Sequence, residues 1–536
     1  MSKIKVTFQP HKIEVLVPEG IKIGSASSLA GIIIDSPCGG LGKCGKCKVT
    51  VTQGATSPNS IERKFISQKE LDKGVRLACQ TKIFNEMTIS VPKKIQIDRK
   101  KMFISAAPAS QIISVSKNIG LAVDIGTTTI VGVLIDLVSQ KTLSIFAETN
   151  PQFVHGADVI SRITYSINNA DGLKKLQSEV IGTINLIIEE LFVDTNIEPN
   201  NIHKMTVVGN TTMQHLFLGI NPQSLAVAPY QPPIKGLYKP VKALQLGINI
   251  NPDAEIYLIP NIGGWVGGDT LGMILALGLH KSDKIKLAID IGTNGEIVLG
   301  SREKLLTTST AAGPCFEGAN INCGMRATVG AIESVYIADE GIFWRVVGKI
   351  PAQGICGSGL IDTVADLLKY GIVDKAGRIQ SFQELKNKLP AVLLKSIISQ
   401  KQGNSFVITK SNSHSIIISQ QDVRELQLAK SAIYAGIQIL IKELGITIHN
   451  IDEILIAGTF GSYINKTNAQ RIGLIPDVSL EKVRYVGNAA CAGAQMALIS
   501  QEGIKEAEKI SRSVGYIELT NRPDFQSAFV DAMFFP

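Results

Sequence analysis

LAVDIGTTTIVGVLID, residues 121–136, places one aspartate and a run of threonines between two apolar segments. The apolar segments predict two antiparallel strands, and Gly126 with its neighbours predicts the tight turn between them. The same pattern returns as LAIDIGTNGEIVL at residues 287–299, where Asp290 takes the place of Asp124. A strand–turn–strand unit that occurs twice in one chain predicts an internal duplication.

The turns of the two repeats have the composition of phosphate-binding loops. Glycine lets the backbone approach a phosphate group, backbone amides and threonine hydroxyls donate to its oxygens, and aspartate holds Mg²⁺, usually through water. One such loop is also compatible with an ordinary hairpin, whereas two predict a nucleotide gripped from both sides of a cleft. The candidate residues are Asp124, Gly126, Thr127, Thr128, Thr129, Asp290, Gly292, Thr293 and Asn294.

Further glycine-rich stretches are expected at the same cleft. Residues 454–462, ILIAGTFGS, predict a strand ending in a bare turn against which adenine and ribose could lie, and CGSGLID at 356–362 predicts a helix with free N–H groups at its start. Small-residue helices are predicted at 268–278 and 488–494, and the polar stretches 150–158 and 209–213 are expected to line the same cleft. The candidate nucleotide-binding residues here are Gly357, Ser358, Gly359, Gly458, Thr459, Gly461 and Ser462.

A separate cysteine motif lies near the N-terminus. Cys38, Cys44 and Cys47 follow the spacing C-x5-C-x2-C within PCGGLGKCGKC, and Cys79 supplies a fourth thiolate. The intervening glycines let backbone N–H groups approach bridging sulfides, which predicts a [2Fe-2S] cluster. A structural zinc site is the alternative, although zinc ribbons usually pair two C-x2-C knuckles.

Charge is unevenly distributed along the chain. Residues 1–118 contain 19 Lys and Arg against 8 Asp and Glu, whereas the remainder contains 35 against 38. This basic excess favours an acidic docking partner, with an ordinary solvated surface as the alternative. No nucleic-acid motif accompanies the charge, so we do not expect nucleic-acid binding. The absence of an eighteen-residue apolar run or a signal peptide predicts a cytoplasmic protein with no membrane segment.

Two family resemblances follow from these motifs. The cysteine motif with LACQ at residues 77–80 resembles ferredoxins of the plant and adrenodoxin type, and residues 120–536 resemble the superfamily of acetate and sugar kinases, chaperone ATPases and actin. In that superfamily the two DIGT loops are phosphate 1 and phosphate 2, and AGTFGS matches the adenosine motif. The second resemblance implies that Asp269 orients the attacking water, with Glu296 as a second candidate base. A solvent-facing hairpin glutamate is the alternative for Glu296.

The resemblances imply the organisation of the chain. We expect a β-grasp [2Fe-2S] ferredoxin-like domain at 1–92, a basic flexible linker at 93–118 and an actin-like ATPase domain at 119–536. The ATPase domain is expected to contain duplicated α/β subdomains: a first lobe at about 119–279, a second lobe at about 280–485, and a connecting helix with the C-terminus at 486–536. The fold class is therefore α+β and α/β.

The joint pattern of PCGGxGxCGKC, DIGTTT, DIGTNGE, CGSGLID and IAGTFGSYIN resembles the reductive activators of corrinoid proteins. The resemblance implies that ATP, Mg²⁺ and the [2Fe-2S] cluster together restore Co(I) from the Co(II) corrinoid of a methyltransferase partner. It also implies an upstream electron donor and a homodimer. No D-x-H-x-x-G cobalamin signature and no clear G-x-G-x-x-G for flavin or nicotinamide occurs in the sequence, so the corrinoid is expected on the partner.

Three other functions are compatible with parts of this pattern. A small-metabolite kinase could carry a ferredoxin as a redox sensor, and it would show substrate-stimulated phosphotransfer. A nonenzymatic actin-like scaffold would form nucleotide-dependent filaments. An activator of a radical dehydratase would hold a [4Fe-4S] cluster between two subunits, and the scattered Cys315, Cys323, Cys356 and Cys491 lack a spacing suited to that cluster.

Overall fold

The structure is a computed structural model that describes residues 3–9, 13–30, 32, 34, 42, 45–91, 116–410, 415–458 and 464–536. The predicted linker lies outside the described residues up to residue 115. Within the described ranges, no helix is long and apolar enough to cross a membrane.

The N-terminal part forms a five-stranded sheet in the order β2-β1-β5-β3-β4. Strands β1 and β5 run parallel, with Val6 opposite Met87, and the other neighbours are antiparallel. This arrangement confirms the predicted β-grasp, ferredoxin-like fold. The elements are β1 Lys3–Gln9, β2 Ile13–Pro18, α1 Ile23–Leu29, β3 Lys48–Gln53, α2 Glu62–Phe65, α3 Gln68–Asp72, β4 Val75–Leu77 and β5 Met87–Ser90.

The second sheet has six strands in the order β10-β11-β9-β6-β7-β8. Its strands β6 and β7 form the hairpin predicted around Asp124, and β9 lies parallel to β6. The elements are β6 Ile119–Ile125, β7 Thr129–Asp136, β8 Lys141–Thr149, α4 Val159–Asn168, α5 Gly172–Thr195, β9 Ile202–Gly209, α6 Thr211–Leu218, β10 Val241–Lys242, α7 Ala243–Leu246, β11 Glu255–Leu258 and α8 Gly268–Leu277.

The third sheet repeats this plan in the order β22-β21-β12-β13-β14-β23. Its elements, with those of two smaller sheets, are β12 Lys286–Ile291, β13 Gly295–Gly300, β14 Leu305–Thr310, β15 Ala331–Ala338, β16 Gly341–Val346, β17 Gly354–Ile355, α9 Gly357–Lys369, α10 Phe382–Leu385, α11 Ala391–Leu394, β18 Ile397–Gln400, β19 Gly403–Lys410, β20 Ser415–Ser419, α12 Gln420–Leu444, β21 Glu453–Ala457, α13 Lys466–Arg471, β22 Val483–Gly487, α14 Ala489–Ile499, α15 Gln501–Ser513, β23 Gly515–Tyr516 and α16 Pro523–Asp531.

The duplication is visible in the strand order itself. In both sheets three consecutive strands form an antiparallel meander, and two parallel strands lie beside its first strand. In the second sheet β9 pairs with β6 and β11 with β9; in the third, β21 pairs with β12 and β22 with β21. Corresponding strand ends therefore carry Asp124 and Asp290. The predicted duplicated, actin-like α/β fold is confirmed.

Two small-residue helices join the duplicated sheets. Helices α8 and α14 pack against each other within one buried cluster that also contains Ala122 and Val133 from one sheet and Ala288 from the other. A Cβ atom at Gly493 would lie 2.1 Å from the carbonyl oxygen of Gly272. Only glycine permits this backbone approach, which explains the small-residue composition of both helices.

Candidate functional site

A cleft between the two hairpins brings together most of the residues predicted for the nucleotide. The cavity there is lined by Asp124, Gly126, Thr127, Thr128, Thr129, Asp269, Asp290, Gly292, Thr293, Asn294, Glu296, Ser358 and Gly458, among others. Gly357 and Gly359 flank Ser358 in sequence but do not line the cavity. Thr459, Gly461 and Ser462 lie outside the described residues.

Gly359 has a structural reason to be glycine. A Cβ atom there would lie 2.5 Å from the carbonyl oxygen of Ile332 on β15. The helix α9 therefore rests directly on the backbone of that strand, and Ser358 donates a 2.7 Å hydrogen bond to the carbonyl of Glu333. This packing fixes the start of α9 at the edge of the cleft.

The first phosphate loop is held by neutral amides and one buried cation. Asn150 donates to the carbonyl of Gly126 at 2.9 Å, and Asn210 donates to the Thr127 hydroxyl at 3.0 Å. The Arg162 guanidinium donates to the Thr127 carbonyl. Because the Thr127 hydroxyl accepts its hydrogen bond from Asn210, its own proton remains available to a phosphate oxygen.

The second phosphate loop is held by a carboxylate. The Thr293 hydroxyl donates to Glu317 Oε1 at 2.9 Å, and the Thr293 carbonyl accepts from the Gly313 N–H at 2.9 Å. The Thr293 hydroxyl proton is therefore already hydrogen-bonded to a carboxylate and is not available to a phosphate. The backbone turn is also one residue shorter than that of the first loop, since Gly292 donates to the carbonyl of Asn294, two residues on, whereas Gly126 donates to that of Thr129, three residues on.

Gly458, at the end of β21, lies against the second loop. Its φ angle is +87°, and a Cβ atom there would lie 2.4 Å from Asp290 Oδ1. Any side chain would collide with that carboxylate, so both the conformation and the space require glycine. The end of β21 therefore lies in direct contact with the second loop.

The cavity gathers carboxylates that raise one another's pKa. Removal from solvent raises the pKa of Asp124 and Asp290 to about 7 and that of Asp269 to about 6. Repulsion from Asp269 contributes to the shifts at Asp124 and Asp290, whereas a 2.8 Å hydrogen bond from Asn488 opposes the shift at Asp124. A cation among these oxygens would favour the ionised forms.

Glu296 also faces the cleft. It is 9% exposed and lies opposite Asp290 in the β12–β13 register, and burial followed by repulsion from Asp269 and Asp290 holds its pKa well above the ordinary value. The alternative of a solvent-facing hairpin glutamate is therefore wrong. Both predicted catalytic carboxylates, Asp269 and Glu296, lie within the cavity that would hold the nucleotide.

Two charged residues of the cavity were missed by sequence motifs. Glu317 lies at the end of a short 3-10 turn, Pro314–Glu317, and the guanidinium carbon of Arg326 lies 4.8 Å from the centre of the Phe153 ring. Comparison of the two repeats would have located the turn that carries Glu317. The first repeat has a matching turn, Pro151–Val154, after its third strand, in a stretch already expected to line the cleft.

The predicted cluster site is described in part, because Cys38 and Cys44 lie outside the described residues. Cys47 and Cys79 are buried and lie close together, Cys47 directly before β3 and Cys79 in the turn after β4. The Cys79 N–H points at Cys47 Sγ at 3.5 Å, and Gln80 Nε2 lies 3.4 Å from Cys79 Sγ. Sulfurs surrounded by N–H donors suit thiolates that carry an iron–sulfur cluster.

Comparisons with known proteins agree with this geometry. Residues 6–83 match the 2Fe-2S iron-sulfur cluster binding domain, 119–282 the RACo middle region, and 284–536 the C-terminal domain of RACo, the ASKHA domain. The first match favours an iron–sulfur cluster over the zinc alternative.

Similar proteins cover most of the chain. Corrinoid activation enzyme RamQ of Eubacterium limosum is 39% identical over 417 residues, which are 77% of this chain and 69% of the relative. A reductase of the Co(II) methylated amine-specific corrinoid protein from Methanosarcina barkeri is 26% identical over 431 residues, 74% of this chain and 72% of the relative. A solved reductive activator for corrinoid, iron-sulfur protein matches 99% of this chain and 98% of its own, with 35% identity and a TM-score of 0.71. The chain therefore belongs to the family of reductive activators of corrinoid proteins, iron–sulfur enzymes with an ASKHA ATPase domain.

Proposed function

We propose that this enzyme uses MgATP to move an electron from its [2Fe-2S] cluster to the Co(II) corrinoid of a methyltransferase protein, which restores Co(I). The observation that carries the proposal is the joining, in one chain, of converging cluster cysteines with a cleft built from two phosphate loops. The family membership gives this combination its substrate class.

The nucleotide is assigned to the cleft by the chemistry of its two sides. Thr127 and the backbone of the first loop would donate to phosphate oxygens, and Gly458 lines the same cavity, where the adenosine would lie. Asp124, Asp290 and Asp269 supply the oxygen ligands or water contacts that Mg²⁺ prefers. Asp269 and Glu296 are the candidates for orienting the attacking water.

The cluster is assigned to Cys38, Cys44, Cys47 and Cys79. When bound, it supplies one electron to the partner's corrinoid. Gln80 and the Cys79 N–H donate toward the sulfurs, and such contacts set the potential at which that electron is given up.

ATP is needed because the transfer is uphill. Ferredoxin clusters of the plant type have potentials near about −400 mV, and the corrinoid couple is expected to lie lower. Each further 59 mV or so of mismatch costs a factor of ten in a one-electron equilibrium. ATP offsets this only if it binds two states of the enzyme–partner complex with different affinities. The α8–α14 contact between the two sheets is the natural hinge for such a change.

Two further parts of the proposal concern assembly. An upstream reductant recharges the cluster, and the basic charge of residues 1–118 suits an acidic donor or partner surface. The ATPase domain forms a homodimer.

The test is nucleotide hydrolysis by the reduced holoenzyme under anaerobic conditions. We expect phosphate release to be stimulated by a corrinoid methyltransferase protein in its Co(II) state and to be much weaker with the same protein in its methyl-Co(III) state. The methylated protein is the matched control, because its surface is the same and its cobalt needs no electron. Stimulation by a small metabolite, with transfer of phosphate to it, would contradict the proposal and establish the kinase.

A further inference from the structure

Lys46, in the described part of the cluster loop (residues 38–47), contacts the ATPase domain. Lys46 lies between Cys44 and Cys47 in sequence, and its ammonium group donates to the carbonyl oxygens of Ile321 and Asn322, at 3.3 Å for the latter. The contact joins residues about 275 positions apart. By contrast, Lys48, on the other side of Cys47, pairs at 3.0 Å with Glu70 of its own domain.

The segment that receives Lys46 also forms a wall of the nucleotide cavity. Residues 314–326 begin with the turn that carries Glu317 and end with Arg326, and both of these side chains line that cavity. Lys46 and Glu317 also border a second, smaller cavity together with Thr128 of the first phosphate loop. One short segment therefore faces the nucleotide on one side and the cluster loop on the other.

Two sets of hydrogen bonds hold this segment, one around residues 322–325 and one at Glu317. The Asn322 N–H donates to Asp422 at 2.6 Å at the start of α12, and Cys323 and Met325 exchange backbone hydrogen bonds with Ile355. Glu317 depends on the Thr293 hydroxyl, and its other carboxylate oxygen is buried without a hydrogen-bond partner among the described residues. A phosphate that took the Thr293 proton would leave Glu317 without its donor and beside a new negative charge.

We propose that the 314–326 segment is a nucleotide-controlled docking surface for the cluster loop, which Lys46 engages before ATP binds and leaves when the triphosphate displaces Glu317 from Thr293. This rests on the proposed function, because the triphosphate must occupy the cleft. It adds the regulation: the cluster loop is held against the ATPase domain until ATP arrives, and is then free for the corrinoid protein.

The Lys46 contact and ATP binding are thermodynamically linked, so the contact can be measured through ATP affinity. If ATP must break the Lys46 contact, the contact lowers ATP affinity, and removing it raises that affinity by the same factor. Lys46→Met keeps the length of the side chain and removes the donors. Lys48→Met is the matched control, since it removes a lysine equally close to Cys47 whose partner lies within the same domain.

The experiment titrates the cluster-loaded full chain with a nonhydrolysable ATP analogue and Mg²⁺ by calorimetry, and records small-angle scattering before and after. We expect Lys46→Met to bind the analogue about fivefold more tightly than wild type, and Lys48→Met to match wild type. The radius of gyration of wild type should rise on binding, whereas that of Lys46→Met should already be high and change little. The visible spectrum of each variant checks that the cluster is intact.

The outcomes separate the inference from the function beneath it. Equal or weaker binding by Lys46→Met, with normal binding by wild type, would overturn the docking surface and leave the proposed function standing. A tighter Lys48→Met would also overturn it, since general charge near the cluster would then be the cause. Absence of binding by wild type would overturn the nucleotide site and the inference together.

Discussion

The two phosphate loops share the sequence Asp-Ile-Gly-Thr, yet their surroundings hold them in opposite ways. The Thr127 hydroxyl accepts from a neutral amide and its carbonyl accepts from buried Arg162, whereas the Thr293 hydroxyl donates to the carboxylate of Glu317. The first loop thus keeps a hydroxyl proton available for an anion, whereas a phosphate at the second loop would have to displace a carboxylate. We call the first loop fixed, because its hydrogen bonds need not change for an anion to bind, and the second loop responsive, because its threonine would have to change partner.

The largest expected effect is on the free energy of unfolding, and it comes from removing Arg162, which holds the first loop. The fully buried Arg162 donates to the carbonyls of Gly156 and Thr127 and to Gln152. Arg162→Met leaves these three oxygens buried without a donor, at about 1–3 kcal/mol each. We expect the free energy of unfolding to fall by about 3 kcal/mol or more in denaturant titrations. Arg302→Met is the control, because that exposed guanidinium forms a surface ion pair with Asp283 and should change stability by less than about 1 kcal/mol.

Substitution of the loop aspartates should reduce ATP turnover more at the second loop than at the first. Asp290→Asn removes a charge that faces Asp269 and Asp124, and we expect ATP turnover to fall by roughly 100-fold or more, the scale of a lost electrostatic contact in an active site. Asp124 is bonded to Asn488, so Asp124→Asn should cost less. Steady-state phosphate release measures both. Equal losses would show that the two sides of the cleft share the metal evenly.

Acidification should weaken metal binding. Groups with a pKa of about 7, as at Asp124 and Asp290, are about 90% ionised at pH 8 and about 10% at pH 6. We therefore expect Mg²⁺-dependent nucleotide affinity to fall between these pH values by about tenfold for each aspartate that the metal requires, as measured by calorimetric titration.

Stability without nucleotide should change in the other direction with pH. The folded-state pKa values of the three cleft aspartates lie above their ordinary value of 3.8, so these groups contribute stability at low pH that is lost as the pH rises toward 7. Asp290→Asn should flatten this slope in thermal unfolding measured from pH 5 to 8. An unchanged slope would mean that Asp290 is already ionised in the nucleotide-free cleft.

The smallest effect separates the two threonines. Thr127→Val removes a hydroxyl whose proton is available to phosphate, and we expect about fivefold weaker ATP binding, equivalent to one hydrogen bond of about 1 kcal/mol. Thr293→Val removes a hydroxyl already engaged by Glu317, so its effect on affinity should be smaller. Fluorescent nucleotide displacement can rank them. The reverse order would contradict the assignment of the fixed and responsive loops.

The sequence predicted the parts of the site that local pattern determines. Asp124 and Asp290 sit in short motifs whose residue types report their chemistry, and the strands around them appeared as expected. Glu317 and Arg162 could not be found that way, because each reaches its loop from an element whose local sequence carries no ligand signature. The Lys46 contact with Ile321 depends on how the ferredoxin-like domain packs against the connection between β14 and β15. No local sequence pattern encodes that packing.

The central claim is tested most directly by the visible spectrum of cobalt. Reduced holoenzyme is mixed anaerobically with a Co(II) corrinoid methyltransferase protein, and MgATP is then added. We predict that the Co(I) spectrum appears only after ATP, and that it fails to appear with either Cys44→Ala or Asp290→Ala, which disable the two domains separately. Co(I) formed without ATP, or formed equally by Asp290→Ala, would contradict the coupling of the nucleotide cleft to electron transfer.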